Sequence, residues 1–446
     1  MTELTILPLA FFVAVVIAVR RVEGTWVGPC AFFGAYWSAF LAGTYVLVPS
    51  FELLTSGVTW IVVCYAALIV GAQLASRPGI RPSRRTWSDQ PDDDDDELRI
   101  LRPMVCVCAL LALASVPILV KAAGVRFGEL DTLKGFLRVA VYYTSNRYND
   151  PDFREPALGI ALYSFAYLGS LLGGRLFFLS TTIRRRMLGF APLAMAGFLA
   201  TLMTTRALVL LSMLLWATGY VVSYVARGNL HRELVSVKNL SFFMLFVVVA
   251  LVLFVGGQLV RAGGAANVAK NEIYRSIATS FLGSTSSFTM WFDKTSGGQL
   301  RNYGWGARTL SGPLRWLLPG FHRSSIATFE PIIVGTGSSL GEDTTVATLF
   351  RELIYDFTLP GSILCLIGIG YYGARSFVLS LVGGLRRSAA LASYYFLVLY
   401  SMMGFVYKFT TLIAVMLGFW AYCAYAGSRR YRSLRSRQAA HDGGGT

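Results

Sequence analysis

The run Leu54-Thr-Ser-Gly-Val-Thr-Trp-Ile-Val-Val-Cys-Tyr-Ala-Ala-Leu-Ile-Val-Gly-Ala-Gln-Leu-Ala75 contains no charged residue. A helix needs about 20 apolar residues to cross a bilayer, so this run predicts a membrane-spanning helix. Basic residues follow it directly, at Arg77, Arg81, Arg84 and Arg85. A cluster of arginines beside a span is typical of its cytoplasmic end.

The same alternation of apolar runs and short charged segments continues along the whole chain. It predicts an all-α polytopic membrane protein with about eleven transmembrane helices, which use roughly half of the residues. The predicted spans are Thr5–Val19, Thr25–Val48, Leu54–Ala75, Arg102–Lys121, Ala157–Ser180, Leu188–Met203, Ala207–Val225, Leu240–Val260, Phe357–Gly373, Ala389–Phe405 and Phe409–Ala426.

Composition excludes several classes of protein. Of the 446 residues, 55% are hydrophobic and 14% are charged, whereas soluble domains carry about 25% charged residues. The mean hydropathy is +0.56. The net charge of +16 comes from basic residues at the ends of apolar runs, which is a membrane pattern. A soluble enzyme, a nucleic-acid-binding domain and a disordered scaffold are therefore excluded, and the expected partner is a lipid bilayer.

Cysteine and histidine give no sign of a metal centre or another cofactor. The chain has three histidines and no HExxH motif. All six cysteines fall within apolar runs, where cysteine usually acts as a small hydrophobic residue. We therefore expect neither a metal nor a disulfide framework.

The distribution of basic residues predicts the orientation. Alternate short loops are rich in arginine, while the opposite set is poor in it and carries Arg206 and Lys408. Because positive charge accumulates on the cytoplasmic side, the amino terminus is expected outside and the carboxyl terminus in the cytoplasm. The basic loops contain Arg20, Arg21, Arg77, Arg81, Arg84, Arg85, Arg184, Arg185, Arg186, Arg227, Arg232, Lys238, Arg375, Arg386 and Arg387.

We expect one transmembrane domain, residues 1–446, with three notable polar segments. Residues 261–343 form a long outer loop with short apolar pieces, Ile277–Phe281 and Leu314–Leu318, which resemble interfacial helices. Residues 76–99 form a charged cytoplasmic loop that includes the acidic run Asp92–Glu97, interpreted as solvated and disordered. Residues 427–446 form a basic, partly disordered cytoplasmic tail.

The most informative stretch for chemistry is Thr344–Phe357, just before a predicted span. On a helix, Arg351 and Tyr355 lie one turn apart on one face, and Glu352 and Asp356 lie one turn apart on another. Ionisable groups at membrane depth usually face a bundle interior or a wet cavity and carry function. The alternative is an ion-paired helix start at the membrane interface without chemistry.

Other basic residues on the predicted outer side are candidates for binding an anion. Arg206 and Lys408 lie in outer turns, and Arg308 and His322 lie in the long outer loop among aromatic residues. Arginine suits phosphate or pyrophosphate because its planar guanidinium binds two oxygen atoms at once. His322 is also a candidate general base. The alternative for these residues is anchoring at lipid headgroups.

Thr344–Phe357, with Pro360 and Gly361 after it, resembles the T-x-x-x-x-(F/L)-R-x-x-x-x-D-F-G-x-x-G region of Wzy-type oligosaccharide repeat-unit polymerases, the O-antigen polymerases. Tyr303-Gly-Trp-Gly306 and Leu318-Pro-Gly320 are similar to another segment of that family, and so is the outer-turn Arg206 before a leucine-rich span. The specific part of the resemblance covers roughly residues 200–375. The sequence departs from the pattern at Thr358, where the family usually has glycine, and at Gly320, where arginine often follows the proline.

The resemblance implies an enzyme of the bacterial inner membrane whose active site faces the periplasm. Such enzymes polymerise oligosaccharide repeats carried on undecaprenyl pyrophosphate, without a metal or a nucleotide sugar, and a chain-length-regulating co-polymerase is a further implied partner. The implied roles are general base for Glu352 or Asp356 and pyrophosphate binding for Arg206 and Arg351, with Arg308 and Lys408 behind them and Tyr355 and His322 nearby. An O-antigen ligase and a lipid-linked oligosaccharide flippase or other transporter remain alternatives.

Overall fold

The computed structural model describes residues 5–75, 92–126, 128, 131–150, 153, 155–228, 278–279, 281–295, 297, 303–318, 332–334, 342–344, 347–383 and 385–442. Helices dominate these residues, as the apolar runs predict. In chain order the helices are α1 (Ile6–Glu23), α2 (Pro29–Leu47), α3 (Thr55–Ala75), α4 (Asp92–Leu113), α5 (Val116–Ala122), α6 (Leu133–Asn149), α7 (Ala157–Leu179), α8 (Ile183–Leu188), α9 (Ala191–Met203), α10 (Arg206–Ala226), α11 (Gly283–Lys294), α12 (Ser311–Leu317), α13 (Leu349–Gly383), α14 (Leu385–Tyr400) and α15 (Thr410–Asp442).

Among the described residues, seven helices are long and apolar enough to cross a membrane, so the chain is a polytopic α-helical membrane protein. The predicted bounds of Leu54–Ala75, Ala157–Ser180 and Ala207–Val225 agree closely with the observed ones, whereas the observed helices extend beyond the predicted Arg102–Lys121 and Phe357–Gly373. The seven candidate spans are Pro29–Leu47, Thr55–Ala75, Asp95–Ala122, Ala157–Leu179, Ala207–Ala226, Leu349–Val382 and Thr410–Arg429.

These residues do not support the predicted count of eleven. Helix α1 has Arg20, Arg21 and Glu23 within its last turn, which leaves too little uncharged length. Helices α9 and α14 have 13 and 16 residues, shorter than the about 20 residues of a typical span. The predicted span Leu240–Val260 lies outside the described residues.

Two polar segments contain more helix than the sequence analysis predicts. The acidic run begins α4 at Asp92, so residues 92–99 of the predicted cytoplasmic loop are helical. Carboxylates in a first turn favour a helix because they complement its dipole. Helix α15 continues to Asp442, so the described part of the tail is helical rather than disordered. Its arginine, leucine, alanine and glutamine residues are good helix formers.

The described parts of the long loop 261–343 form α11, α12 and a small ribbon. Strands β1 (Ile332–Val334) and β2 (Glu342–Thr344) pair antiparallel, with Ile333 opposite Asp343. Helix α12 covers most of the predicted interfacial piece and leaves Leu317 exposed, as an interfacial helix would. The other predicted piece, Ile277–Phe281, lies only partly within the described residues. Helix α11 begins just after it and is largely buried, and Thr285 on this helix bonds Thr44 of α2.

The chain forms two compact units. The first unit surrounds the start of α13, where Phe350 packs against Phe33, Trp37 and Phe288 at ring-centroid distances of 6.3, 4.6 and 5.7 Å. Further along, α13 approaches α3 so closely that a Cβ on Gly370 would lie 2.0 Å from the carbonyl oxygen of Leu68. These contacts fix the start and the middle of α13. The first unit contains Met1–Ser83, Tyr274–Val382 and Ser393–Ile413.

The second unit has its own core and a buried ion pair. Phe177, Phe190 and Trp216 of this unit pack as an aromatic cluster. Glu97 of α4 binds the guanidinium of Arg175 on α7 through both carboxylate oxygens. This unit contains Arg84–Ile273, Gly383–Ala392 and Ala414–Thr446.

Candidate functional site

The candidate site lies at a break in α13. Thr358 has φ 68° and ψ 179°, so the helix is interrupted one residue after Phe357 and resumes beyond it. Residues other than glycine rarely adopt this conformation, and holding one there costs about 1–3 kcal/mol. The family pattern quoted above usually has glycine at this position, which matches the backbone geometry found here. The break divides α13 into a short first segment with the charged residues and a long second segment.

The break leaves backbone carbonyl groups without their usual helical partners. Pro360 has no N–H group to donate to the carbonyl of Asp356, four residues earlier. A turn of residues 304–309, here called the strap, supplies the missing donors. Gly304 N–H donates to Tyr355 O at 2.8 Å, and Trp305 N–H donates to Asp356 O at 3.0 Å. The strap therefore completes the end of the first helical segment.

The approach of the strap requires glycine at position 304. A Cβ there would lie 2.3 Å from Oδ1 of Asp356. Trp305 and Gly306 then both take positive φ values, 49° and 87°, which turn the strap sharply. The Gly-Trp-Gly motif that the sequence analysis singled out thus has a definite structural role.

The carboxylate of Asp356 is fully buried and holds the same strap. Its Oδ2 accepts hydrogen bonds from Arg308 N–H at 3.1 Å, Thr309 N–H at 2.6 Å and the Thr309 hydroxyl at 2.7 Å. Its Oδ1 lies 3.3 Å from Arg308 N. Asp356 therefore binds donors that lie 47 and 48 residues earlier in the chain.

Glu352, one turn earlier on α13, binds a different segment. Its side chain is 1% exposed and forms an ion pair with Lys408 Nζ at 2.5 Å. It also accepts a hydrogen bond from Phe405 N–H. The carboxylates are thus one turn apart, as predicted, but each has its own partners, so Asp356 holds the strap and Glu352 holds the turn before α15.

Two arginines lie over a stacked pair of aromatic rings, and both contact Tyr355. Trp291 of α11 and Tyr355 of α13 stack with ring centroids 5.3 Å apart. The Arg308 guanidinium lies 4.6 Å from the Tyr355 ring centre, and that of Arg351 lies 5.8 Å from the Tyr355 ring and 5.3 Å from the Trp291 ring. Arg351 and Tyr355 share a face, as the helical spacing predicts. The arrangement brings two cations to one aromatic platform.

Arg308 keeps its positive charge on this platform although it is partly buried. Burial lowers the pKa of Arg308 from its usual value, while Tyr355, Asp356 and Glu352 nearby favour its charged form. The pKa of an arginine is ordinarily so high that Arg308 stays protonated at neutral pH. Lys408 is 18% exposed and is matched by the charge of Glu352. The cations on the platform itself are therefore Arg308 and Arg351.

An apolar cavity of about 290 Å³ lies in the same unit. Leu353, Phe357 and Cys365 line it from both sides of the break in α13, and Leu397 lines it from α14. Thr309, which binds Asp356, also contributes to its wall, as does Phe405, which binds Glu352. The lining suits a hydrocarbon rather than a sugar, because few polar groups face the cavity.

Two predicted site residues are not among the described residues of this cluster. Arg206 is the first residue of α10 and belongs to the second unit, and nothing is described of its side chain. His322 lies outside the described residues. Lys408 is part of the cluster, but as the partner of Glu352. In the described part of the chain, no three side chains from His, Cys, Asp or Glu converge as metal ligands would.

Sequence reasoning missed Trp291, Thr309 and Phe405. Trp291 lies far from α13 in sequence, and no spacing rule connects them. The proline at position 360 was a usable signal, because it predicts that a carbonyl one turn earlier needs another donor. It does not say which segment supplies that donor.

Comparisons of this chain with protein-family models, with curated proteins and with solved structures find no match. The break in α13 and the sequence pattern around it are therefore the features of the molecule that bear on its function.

Proposed function

We propose that this protein is an inner-membrane glycosyltransferase that polymerises oligosaccharide repeats carried on undecaprenyl pyrophosphate, producing O-antigen or a related surface polysaccharide. One observation carries the proposal: two arginines on one aromatic platform adjoin two buried carboxylates at a helix break. The sequence around the break resembles the polymerase pattern. The proposal keeps eleven spans, which requires α1, α9, α14 and residues 240–260 to cross the membrane as well.

The chemistry requires a cation for the leaving group and a base for the acceptor. In the reaction, an acceptor hydroxyl oxygen bonds to the anomeric carbon of the growing chain, and the bond from that carbon to the pyrophosphate oxygen breaks. Arg308 and Arg351 stabilise the departing pyrophosphate, because one guanidinium group can bind two phosphate oxygens at once. The acceptor proton passes to a carboxylate.

Of the two carboxylates, Glu352 is better suited to accept that proton. Its charged partner is the side chain of Lys408, which is long, flexible and partly exposed and can move aside. Asp356 is bound instead by two backbone N–H groups, which cannot rotate away. The apolar cavity beside both residues suits the hydrocarbon of a lipid-linked substrate.

The proposal places the site on the periplasmic face of the inner membrane, as the arginine-rich loops predict. Its substrate is the lipid-linked repeat within the bilayer, and a chain-length-regulating co-polymerase is a proposed partner. The proposal includes no metal, nucleotide sugar or other cofactor.

The direct test uses purified protein in nanodiscs, lipid-linked repeats as the sole substrate, a chelator and no nucleotide sugar. The wild-type protein should produce a ladder of extended glycans. Arg308→Lys and Arg351→Lys keep the charge but lose the planar fork, so they should extend repeats far more slowly. Glu352→Gln should lower the rate by about 10²–10⁴, as loss of a general base typically does.

A cellular experiment separates the alternatives. A cell without a polymerase attaches single repeats to its lipid A-core, whereas a cell without the ligase or flippase attaches none. Complete loss of attached glycan in a deletion strain would contradict the polymerase proposal, and so would failure of the purified protein to extend its natural repeat.

A further inference from the structure

We propose that Asp356 is a positioning residue that sets the Arg308 guanidinium through the strap and takes no part in proton transfer. This inference rests on the proposed function and refines it, because it separates the roles of two carboxylates that lie one helical turn apart. The observation behind it is that the bonds of Asp356 converge on two consecutive residues, Arg308 and Thr309.

The carboxylate of Asp356 is already occupied by hydrogen-bond donors of the strap. Oδ2 of Asp356 already accepts from the backbone of Arg308 and from both the backbone and hydroxyl of Thr309. Oδ1 is covered as well, because it lies 3.3 Å from Arg308 N and a Cβ on Gly304 would come within 2.3 Å of it. Asp356 is fully buried, so a substrate hydroxyl could reach either oxygen only if the strap moved. A buried backbone N–H without an acceptor is costly, so such a movement is unfavourable for each donor that loses its bond.

Asp356 acts on the Arg308 side chain through the backbone of the strap. The strap is held at Gly304 and Trp305 by the backbone carbonyls of Tyr355 and Asp356, and at Arg308 and Thr309 by the Asp356 side chain. Both ends of the turn are therefore fixed to the same helical segment. The Arg308 side chain leaves this fixed backbone and reaches Tyr355, the residue directly before Asp356.

The position of the strap determines the spacing of the two arginines that the proposal assigns to pyrophosphate. A displacement of about 1 Å in a group that positions a reacting molecule can lower the rate about 100-fold. Arg308 and Arg351 reach Tyr355 from different segments, so their separation depends on where the strap lies. Asp356 thus sets the spacing of the two guanidinium groups that the proposal assigns to pyrophosphate.

The experiment compares Asp356→Asn, Thr309→Val and the control Asp293→Asn in nanodiscs. Asp293 is an exposed acid on α11 that bonds Ser56, so its amide variant matches the chemical change outside the site. Hydrogen exchange at residues 304–309 should accelerate in Asp356→Asn, and less in Thr309→Val, which retains the backbone bonds. The control should match the wild type. Unchanged exchange in both site variants would overturn the inference.

Kinetics then distinguish positioning from proton transfer. We expect Asp356→Asn to raise KM for the lipid-linked donor about tenfold or more, with a smaller fall in kcat and an unchanged pH profile of kcat. Thr309→Val should change KM in the same direction. In protein that already carries Arg308→Ala, the further change Asp356→Asn should alter KM little, because Asp356 acts through Arg308. A large fall in kcat that persists in this background and alters the pH profile would identify Asp356 as a base and overturn the inference.

The two proposals fail in different ways. An inactive wild-type protein overturns the proposed function, whatever the exchange rates of the strap. An active wild-type protein whose strap exchanges normally in Asp356→Asn overturns the inference alone.

Discussion

Thr358 is a threonine in a backbone conformation that suits glycine. Its φ of 68° with ψ near 180° is a conformation in which the threonine Cβ is crowded, whereas glycine adopts it readily. The break that it forms positions the carbonyls bound by the strap. Threonine therefore occupies a backbone conformation suited to glycine, at a cost in stability.

Replacing Thr358 with glycine should therefore stabilise the protein. The strain relieved is about 1–3 kcal/mol, and the greater freedom of glycine in the unfolded chain offsets about 1 kcal/mol of it. We expect a higher thermal unfolding midpoint for Thr358→Gly in detergent. Thr358→Ala retains the Cβ and serves as the control, so an equal or higher midpoint for alanine would show that the position is not strained.

The Glu352–Lys408 ion pair should contribute to stability as well as to chemistry. Removing one partner of a buried pair leaves the other charge uncompensated, at a cost of about 3–5 kcal/mol. Lys408→Met should therefore lower the unfolding midpoint strongly, since Glu352 is 1% exposed. The double variant Glu352→Gln/Lys408→Met should recover part of the loss. A double variant less stable than Lys408→Met would contradict this account.

At the scale of elements, α4 shows how an acidic run becomes part of a packed helix. Asp95 and Asp96 are exposed, as expected for a solvated face. Glu97 turns inward, where it binds Arg175 of α7 and accepts a hydrogen bond from the Tyr422 hydroxyl of α15. Ser223 of α10 accepts another hydrogen bond from Arg175. One carboxylate therefore connects helices of the second unit that are far apart in sequence.

Neighbouring acidic residues in this run should consequently contribute differently to the stability of the folded protein. Glu97→Gln should destabilise the protein by about 3–5 kcal/mol, because Arg175 is 4% exposed and would lose its counter-charge. Asp96→Asn is the matched control, with an expected change within about 0.5 kcal/mol because the side chain is on the surface. Thermal unfolding of both purified variants measures the difference. Equal midpoints would show that the buried pair adds no stability.

Sequence could predict the elements but not the pairing within the site. Helix α7 is predicted over Ala157–Ser180 and observed over Ala157–Leu179. Its start could be predicted because proline stands directly before the apolar run. The partners of Asp356 and Glu352 lie 47 residues before and 56 residues after them. Helical spacing fixes which residues share a face, but the choice of distant donors depends on tertiary packing, which no local pattern contains.

At the scale of the whole molecule, orientation remains a prediction from the arginine-rich loops. Cysteine introduced at position 296 in a cysteine-free background should react with a membrane-impermeant thiol reagent in intact cells with a permeable outer membrane. Cysteine at position 429, in the basic tail, should react after lysis of the inner membrane. These expectations follow from the accumulation of positive charge on the cytoplasmic side. Labelling of the two positions in the reverse order would contradict the topology.

The strap also has a consequence for how such a site changes during evolution. Four of its five hydrogen-bond donors to α13 are main-chain amides, those of Gly304, Trp305, Arg308 and Thr309. Amide positions depend on the length of the turn and hardly at all on the side chains at positions 305 and 307. Substitutions there would accumulate freely among descendants, while insertions and deletions would be eliminated. Related proteins would therefore keep the number of residues between the positions of Gly304 and Asp356 even after the residues in this region had diverged.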